Sequence, residues 1–417
     1  MASALMPRAL RGIVRGGGRL FESSGRRLVR LDAASLTAAA RRRAKSSDFG
    51  EPGVHEPLTR LLDSLENEAK LNLMGRVAAR EDLTRFLANR LALERDRSLH
   101  PAIAAEEIRR PLFIAGLPRS GSTLLYNLMA QDPANRVPLN WEIMFPSPPP
   151  ERTTHATDPR AARAERQIRW FQRLQPEFRK IHPIGARLPE ECVVILSHTF
   201  LSFQFSSMYF IPSYQSWLER QDLRPAYHFH RRFLQHLQWR CRGERWVLKA
   251  PPHLPALDAL FAAYPDASVI LTHRDPLEVV PSVASLHAVL RSTFSNVVEP
   301  AAVGPEVSQM LVNDITRGID ALDRGCAPPG QVIDVRYTDL LRDPIATVQR
   351  IYAHFQLPFS AELAARMHRF PQEHSADKNG RHEYSLEAFG LDADTERRRY
   401  RSYCERFSLQ SNEQPLA

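Results

Sequence analysis

The chain has 417 residues, of which 43% are hydrophobic and 25% charged, as in a globular protein of one large domain or two ordinary ones. Its four cysteines form no C-x-x-C pair, which argues against a disulfide framework or a structural zinc site and favours a reducing compartment, the cytoplasm. The net charge of +9 is concentrated in residues 1–50, where eleven Lys and Arg face three acidic residues. The remainder is nearly neutral, so we expect no nucleic-acid partner.

The basic residues 1–50 admit three interpretations. Their Arg-, Ala- and Ser-rich composition is found in organelle transit peptides, and their arginines also suit a peripheral contact with anionic lipid. The third interpretation, which we favour, is a flexible tail. The range has no apolar run of the length that secretion or membrane anchoring requires, so we expect no N-terminal membrane anchor.

Residues 51–110 are predicted to form a helical extension, because leucines recur there at helical spacing (Leu58, Leu61, Leu62 and Leu65). This range shows no catalytic constellation, so we expect it to cap the core or to form a homodimer surface. Residues 111–417 are predicted to form one α/β domain with a helical insertion at about 155–243.

The stretch that organises the chain follows residue 110. An apolar run, Leu112–Ala115, predicts a buried strand, and the segment from Gly116 to Gly121 predicts a turn that leads into a helix. A strand, a glycine loop and a helix N-terminus together favour phosphate binding, because backbone N–H groups and the helix dipole converge on an anion.

The glycine spacing in this loop matches the start of a Walker A motif, but the motif's lysine is missing. Ser122 stands in its place, and the nearest cation is Arg119 inside the loop. The Walker lysine contacts the β- and γ-phosphates, so its absence argues against a P-loop kinase or nucleotide hydrolase. That class nevertheless remains an alternative, as does a plain turn with incidental small residues.

Two features lie between the loop and the next strand. Glu142 follows the predicted phosphate-binding helix and precedes a proline-rich loop. Residues 192–218 contain no Asp, Glu, Lys or Arg and are rich in aromatic side chains. We interpret this run as a buried helix, which would line an apolar acceptor pocket if it is functional.

Three further strands are predicted at 246–248, 268–272 and 331–337, with helices between them. Strands that alternate with helices indicate an α/β fold with a P-loop-like parallel sheet flanked by helices. Ligands bind at the carboxyl ends of such strands. The loop after the first strand, Lys249–His253 and His273–Arg274 all lie at such ends, so we expect them to converge on one site.

Two of these segments together carry a family resemblance. The sequence GLPRSGSTLL at 116–125, followed about 150 residues later by THRDPLEVVPSVASL at 272–286, resembles the sulfotransferases that use 3′-phosphoadenosine 5′-phosphosulfate (PAPS). The match is closer to the broad, mostly bacterial branch of that family, and it extends over about residues 50–400. The resemblance implies PAPS as co-substrate and no metal.

The resemblance also implies roles for individual residues. A 5′-phosphosulfate loop would be formed by Arg119, Ser120, Gly121, Ser122 and Thr123. The 3′-phosphate would be bound by Arg274 and Ser282, with Tyr337 near the adenine. A basic loop, Lys378–His382 with Arg381, resembles the segment that closes over the 3′-phosphate, although the family's R-K-G triplet is absent.

Sulfuryl transfer needs in-line attack by an acceptor hydroxyl or amine, charge stabilisation and, for a hydroxyl, a general base. Arg119 and Lys249 resemble the cations that the family places near the transferring group. Glu142 and His253 are two candidates for the base that we cannot rank, because each matches a different branch and His253 follows an inserted Pro-Pro. We therefore expect a PAPS-dependent sulfotransferase with a small, apolar or lipidic acceptor. A non-catalytic binding protein on the same fold is a further alternative.

Overall fold

The structure is a computed structural model that describes residues 28–51, 53–174, 184–373 and 385–409. Its strands are β1 (Leu112–Gly116), β2 (Asn135–Arg136), β3 (Arg245–Lys249), β4 (Ser268–His273) and β5 (Val332–Arg336). The helices before β3 are α1 (Ala33–Ala44), α2 (His55–Asn67), α3 (Leu73–Leu99), α4 (Ser122–Met129), α5 (Asn140–Met144), α6 (Pro159–Leu174), α7 (Cys192–Leu196), α8 (Gln204–Met208), α9 (Pro212–Leu218) and α10 (Arg224–Gln238). Those after it are α11 (Leu257–Ala263), α12 (Pro276–Phe294), α13 (Pro300–Asp323), α14 (Tyr337–Arg342), α15 (Pro344–His354), α16 (Ala361–Glu373), α17 (Ala393–Arg399) and α18 (Arg401–Arg406).

Contacts divide the chain into two compact units. The described residues of Met1–Glu107, Pro138–Arg242 and Leu286–Val298 form the first, which we call the helical unit. Those of Ile108–Val137, Gly243–Ser285 and Glu299–Ala417 form the second, the sheet unit, which contains every strand of the described residues. Each unit is assembled from separated stretches of the chain, and the division predicted at residues 50 and 110 stays a prediction.

The sheet is parallel throughout, with strand order β2-β3-β1-β4-β5. This confirms the predicted α/β fold. Every residue of β1 is buried, as expected for a central strand covered by helices on both faces. The two-residue edge strand β2 was not predicted, because it is too short to show any alternation of side chains.

The two faces of the sheet are covered by different helices. On one face, Leu112 and Ile114 of β1 belong to a buried apolar cluster with side chains of α4, α15 and α16. The opposite side of β1 presents Phe113, whose ring contacts Tyr264 at 5.2 Å between centroids. The carboxyl ends of all five strands consequently emerge at one edge of a fully packed layer.

The structure differs from the predicted elements in three places. Helix α1 lies inside the predicted flexible tail; it is capped by Asp32, which accepts a hydrogen bond from the Ser35 backbone N–H at 2.8 Å, and it buries Leu36 and Ala40. Residues 1–27 lie outside the described residues. Residues 192–218 form three short helices rather than one, because Phe200 adopts a left-handed backbone with φ 58° and α9 starts anew at its proline.

The third difference is at β5, because the strand predicted at 331–337 ends at Arg336. The chain enters α14 directly at Tyr337, so that residue begins a helix instead of ending a strand. One further feature concerns helix composition: no helix in the described part of the chain combines the length and the apolar character needed to cross a bilayer.

Candidate active site

The loop after β1 requires glycine at both of its ends. Gly116 has φ +117°, and an added Cβ would collide with the backbone of Thr272 on the neighbouring strand. Gly121 has φ +82°, and its Cβ would lie 2.8 Å from a methyl carbon of Leu340. Arg119 also has a positive φ, 63°, a conformation that costs energy for a residue with a side chain and that is often found at functional sites.

A buried hydroxyl holds this loop to the sheet. Ser120 is fully buried; its hydroxyl donates to the carbonyl of Leu117 and lies 2.6 Å from the hydroxyl oxygen of Thr272. Thr272 in turn donates to the carbonyl of Ala115 at 3.1 Å. The side chain of Ser120 therefore fixes the loop, which leaves its backbone N–H as the group that this residue offers to an anion.

The structure joins the predicted 5′ and 3′ residues directly. Arg119 Nε donates to Ser282 Oγ at 3.1 Å, and Arg274 Nη1 donates to the Arg119 carbonyl at 2.8 Å. The Arg274 guanidinium lies 4.2 Å from the ring centroid of Tyr337, a cation–π contact. Four residues that are distant in sequence are thus gathered at the carboxyl ends of β1, β4 and β5.

Arg274 also has an acidic neighbour. Its Nε and Nη2 both donate to one carboxylate oxygen of Glu278, at 2.8 and 2.6 Å. The carboxylate is a pre-existing anionic partner for the guanidinium, whose fork geometry suits a carboxylate or a phosphate. Sequence reasoning missed Glu278, although its position four residues after Arg274 on a predicted helix is a signal for such a pair.

A second cation lies at the end of β3. Lys249 is 2% exposed, and its Nζ donates to Thr123 Oγ1 on the first turn of α4 at 3.3 Å. His253 follows in the 3₁₀ helix Pro251–Ala256 and is fully buried, with its ring edge-on to Phe113 at 5.0 Å between centroids. The structure therefore brings Lys249 to the loop, while His253 packs on the sheet beneath.

Glu142 belongs to the helical unit, in helix α5. Its side chain is fully buried; one oxygen accepts the backbone N–H of Leu139 at 2.9 Å and the other lies 3.0 Å from Nε2 of His155. Sequence reasoning missed His155, and no pattern pointed to it, because it lies in the short 3₁₀ helix His155–Thr157, thirteen residues away. Arg381 and the predicted basic loop Lys378–His382 lie outside the described residues.

The described side chains also form no metal-ligand cluster. Among the side chains that the structure describes, no group of three or more His, Cys, Asp and Glu residues is placed to hold a metal ion. The charged groups at the loop are instead two arginines and a lysine, which neutralise anionic oxygens directly.

A parallel sheet, a glycine loop leading into a helix and cations at the neighbouring strand ends define a phosphate-binding α/β protein without the Walker lysine. Residues 111–361 match the model of the Sulfotransferase family, and the chain belongs to that family. It is therefore an enzyme, a transferase of the sulfuryl group.

Relatives agree with this assignment. Two proteins named omega-hydroxy-beta-dihydromenaquinone-9 sulfotransferase Stf3, from Mycobacterium bovis and Mycobacterium tuberculosis, are each 25% identical over 295 residues, which is 66% of this chain and 70% of theirs. The crystal structure of sulfotransferase STF1 from Mycobacterium tuberculosis H37Rv is 32% identical, with a TM-score of 0.80 over 89% of this chain and 98% of that one. Sulfotransferase STF9 from Mycobacterium avium is 27% identical, with a TM-score of 0.84 over 92% and 98%.

Proposed function

We propose that this sulfotransferase moves a sulfuryl group from PAPS to a hydroxyl, or an amine, of a lipidic acceptor. The observation that carries the proposal is the contact of Arg119 with Ser282 and of Arg274 with the Arg119 carbonyl. These contacts put a phosphate-binding loop and a second arginine–serine pair side by side. PAPS carries phosphate at both ends of its ribose, and it supplies the activated sulfuryl group.

The residues at the loop fit such a donor in charge and in hydrogen-bonding groups. The backbone N–H groups of residues 119–123, together with the side chains of Arg119 and Thr123, would bind the 5′-phosphosulfate. Arg274 and Ser282 would bind the 3′-phosphate, with Tyr337 beside the adenine. Lys249, held by Thr123, would stabilise the charge that develops as the sulfuryl group leaves. Arg381 remains a proposed contact to the 3′-phosphate.

Two observations support an apolar acceptor. The Stf3 relatives are named for a hydroxylated menaquinone derivative, an apolar molecule with a terminal hydroxyl. In this chain, residues 192–218 carry no formal charge and bury Phe200, Phe205 and Tyr214 within the helical unit. A hydroxyl on an apolar chain is the acceptor class that both observations favour.

The general base is Glu142 or His253. The Glu142 carboxylate is oriented by a backbone N–H and by His155, which suits a group that must accept a proton in a fixed direction. His253 lies in the same unit as Lys249, four residues further on. We expect only one of the two single variants, Glu142→Gln or His253→Asn, to abolish turnover. That variant should leave the dissociation constant for PAPS unchanged.

The activity test uses the purified chain with PAPS labelled in its sulfuryl group and an isoprenoid quinone with a terminal hydroxyl. We expect the label to appear in the lipid extract when the quinone carries the terminal hydroxyl. We expect no label there with the matching quinone that lacks the hydroxyl. Label that stays in the aqueous nucleotide with this and with a panel of hydroxylated lipids would contradict a lipidic acceptor. Transfer of the label only to small polar alcohols would show that the acceptor is a small polar alcohol and not a lipid.

Three further parts of the proposal concern the whole chain. We propose a cytoplasmic enzyme, since the four cysteines, all within the described residues, form no disulfide. The basic N-terminal residues would contact anionic lipid, and the chain would form a homodimer. We also retain residues 111–417 as the region that carries the chemistry, with 51–110 and about 155–243 as helical additions. Vesicle co-sedimentation and light scattering test the lipid contact and the dimer.

A further inference from the structure

His273, the residue before Arg274, is held on three sides. Its ring is 3% exposed; Nε2 lies 2.9 Å from Asp334 Oδ1 on β5, and Nδ1 lies 2.8 Å from the hydroxyl of Tyr403. The ring of Phe407 stacks on it at 3.8 Å between centroids and 18° between planes. A carboxylate only accepts hydrogen bonds, so Nε2–H donates to Asp334, which leaves Nδ1 to pair with the hydroxyl of Tyr403.

The hydroxyl of Tyr403 stays protonated and can therefore donate a hydrogen bond. Burial is the main reason that the pKa of Tyr403 is raised, with Cys404 and Asp334 adding to it, so the phenol keeps its proton at neutral pH. Tyr403 lies on α18 and Phe407 follows that helix directly. The C-terminal segment 400–407 therefore supplies two of the three contacts that orient the ring.

These contacts lie immediately behind the proposed 3′-phosphate site. His273 and Arg336 are partners in the register of β4 and β5, and the residues that follow each of them are Arg274 and Tyr337. The Arg274 guanidinium in turn contacts the Tyr337 ring and the Arg119 carbonyl. The bond from His273 to Asp334 thus ties together the two strand ends from which Arg274 and Tyr337 project.

The same C-terminal segment has a second, separate anchor. The hydroxyl of Tyr400, three residues before Tyr403, donates to the carbonyl of Ser308 on α13 at 2.9 Å. Arg406 forms an ion pair with Asp323 at the end of α13. The segment is therefore attached to α13 by contacts that do not involve His273, which provides a matched control.

We propose that His273 is a positioning residue for the 3′-phosphate, and that Tyr403 and Phe407 of the C-terminal segment hold it so that Arg274 is aimed at that phosphate. The inference rests on the proposed function, because it needs Arg274 to bind the 3′-phosphate. The role of Tyr403 and Phe407 in this proposal is indirect. Both act through His273 and the backbone that it shares with Arg274, and not by contact with the nucleotide.

The test compares adenosine 3′,5′-bisphosphate with adenosine 5′-monophosphate, which lacks the 3′-phosphate, by calorimetric titration of full-length variants. Tyr403→Phe removes one hydroxyl, and losing one hydrogen bond predicts a preference for the bisphosphate that falls about threefold to tenfold. Affinity for the monophosphate stays at the wild-type value. Tyr400→Phe removes the same atom from the same segment and leaves the preference unchanged. Phe407→Leu, which keeps both hydrogen bonds, provides a second test if Tyr403→Phe folds poorly.

Each outcome decides a different point. A wild-type chain with no preference for the bisphosphate would contradict the proposed function, and the inference with it. A wild-type preference that Tyr403→Phe, Phe407→Leu and His273→Asn all retain would overturn the inference alone. A rise in KM for PAPS at unchanged kcat is the kinetic result expected of a residue that only positions Arg274.

Discussion

The two units bury their polar side chains for different purposes. In the helical unit, burial lowers the pKa of His198, His230 and His287 to about 3 and that of His236 to about 4, so these rings are neutral packing elements. In the sheet unit, buried or half-buried polar groups lie at strand ends and hold one another in place around the loop, as Lys249 does with Thr123. Of these groups, the polar side chains that converge on strand ends belong to the candidate site, whereas the four neutral histidines serve stability.

The largest expected effect is a loss of stability, without a loss of nucleotide affinity, when a buried arginine of the helical unit is replaced. Arg90 is fully buried and donates to the carbonyls of Phe49, Gly50 and His198, and burial lowers its pKa to about 10. Arg90→Ala leaves those carbonyls without a donor and should lower the free energy of unfolding by about 3 kcal/mol or more. Urea denaturation measures this loss.

The control for Arg90 is the exposed Arg220, whose replacement by Ala should change the free energy of unfolding by less than about 0.5 kcal/mol. Nucleotide affinity should be unchanged in both variants under conditions where they are folded. Reduced nucleotide affinity in folded Arg90→Ala would mean that the helical unit's buried arginine serves the site as well.

In the sheet unit we expect the reverse: chemistry is lost and stability kept. Arg119→Ala removes a cation from the loop and should lower kcat about 100- to 1,000-fold, the usual effect of removing a donor that stabilises developing charge. Arg336→Ala, at the same edge of the sheet, removes an exposed arginine that pairs with Asp339 and should change kcat less than about threefold. Equal kcat for wild type and Arg119→Ala would remove Arg119 from the mechanism.

A third prediction concerns pH and again the helical unit. Four histidines with lowered pKa values take up protons in the unfolded chain near pH 6.5 but not in the folded one. The free energy of unfolding is therefore unaffected by them above about pH 6.5. It falls as the pH decreases towards about 4, by up to about 1.4 kcal/mol per pH unit for each.

His287→Met removes one of these groups, so the fall in stability between pH 6.5 and 5 should be shallower by up to about 1.4 kcal/mol per pH unit. Urea titrations at several pH values give both slopes. An identical slope for His287→Met and wild type would show that His287 does not stay neutral in the folded chain.

The smallest expected effect is on nucleotide affinity and tests the role of Arg274. Its ion pair with Glu278, 46% exposed, competes with any phosphate for the same guanidinium. Glu278→Gln should therefore raise affinity for adenosine 3′,5′-bisphosphate about twofold to fivefold, the range of an exposed pair. Glu362→Gln, which breaks an exposed Arg–Glu pair with the same spacing on α16, is the control. Weaker binding in Glu278→Gln would mean that Glu278 orients Arg274 and does not compete for it.

Much of the sheet unit could be predicted because its signals are local. The strands around Ile114, Val247 and Ile270 are short apolar runs, and the glycines of the loop mark its two ends. The helical unit was harder, because its elements are broken by backbone features such as the left-handed Phe200, which no periodicity reveals. Helix α1 was missed because its arginine-rich sequence was interpreted from composition alone, as a flexible tail.

Candidate site residues could be named from the sequence, but the contacts among them could not. Matching to the family motifs pointed to Arg119, Ser282 and Arg274, yet the bonds among them join residues more than 150 positions apart. The bond from His273 to Tyr403 spans 130 positions and involves α18, which no motif marks. Contacts of this kind depend on the packing of the whole unit, which local patterns do not encode.

The central claim is that the loop at Gly116–Ser122 and the Arg274–Ser282 pair bind one nucleotide with phosphate at both ends of its ribose. The most direct measurement is calorimetric titration of the full chain, in buffer with a chelator and no Mg²⁺, with adenosine 3′,5′-bisphosphate and separately with ATP. We predict saturable 1:1 binding of the bisphosphate, weakened about tenfold or more by Arg274→Ala because a charge-assisted bond is lost. Binding of ATP without any binding of the bisphosphate would contradict the account.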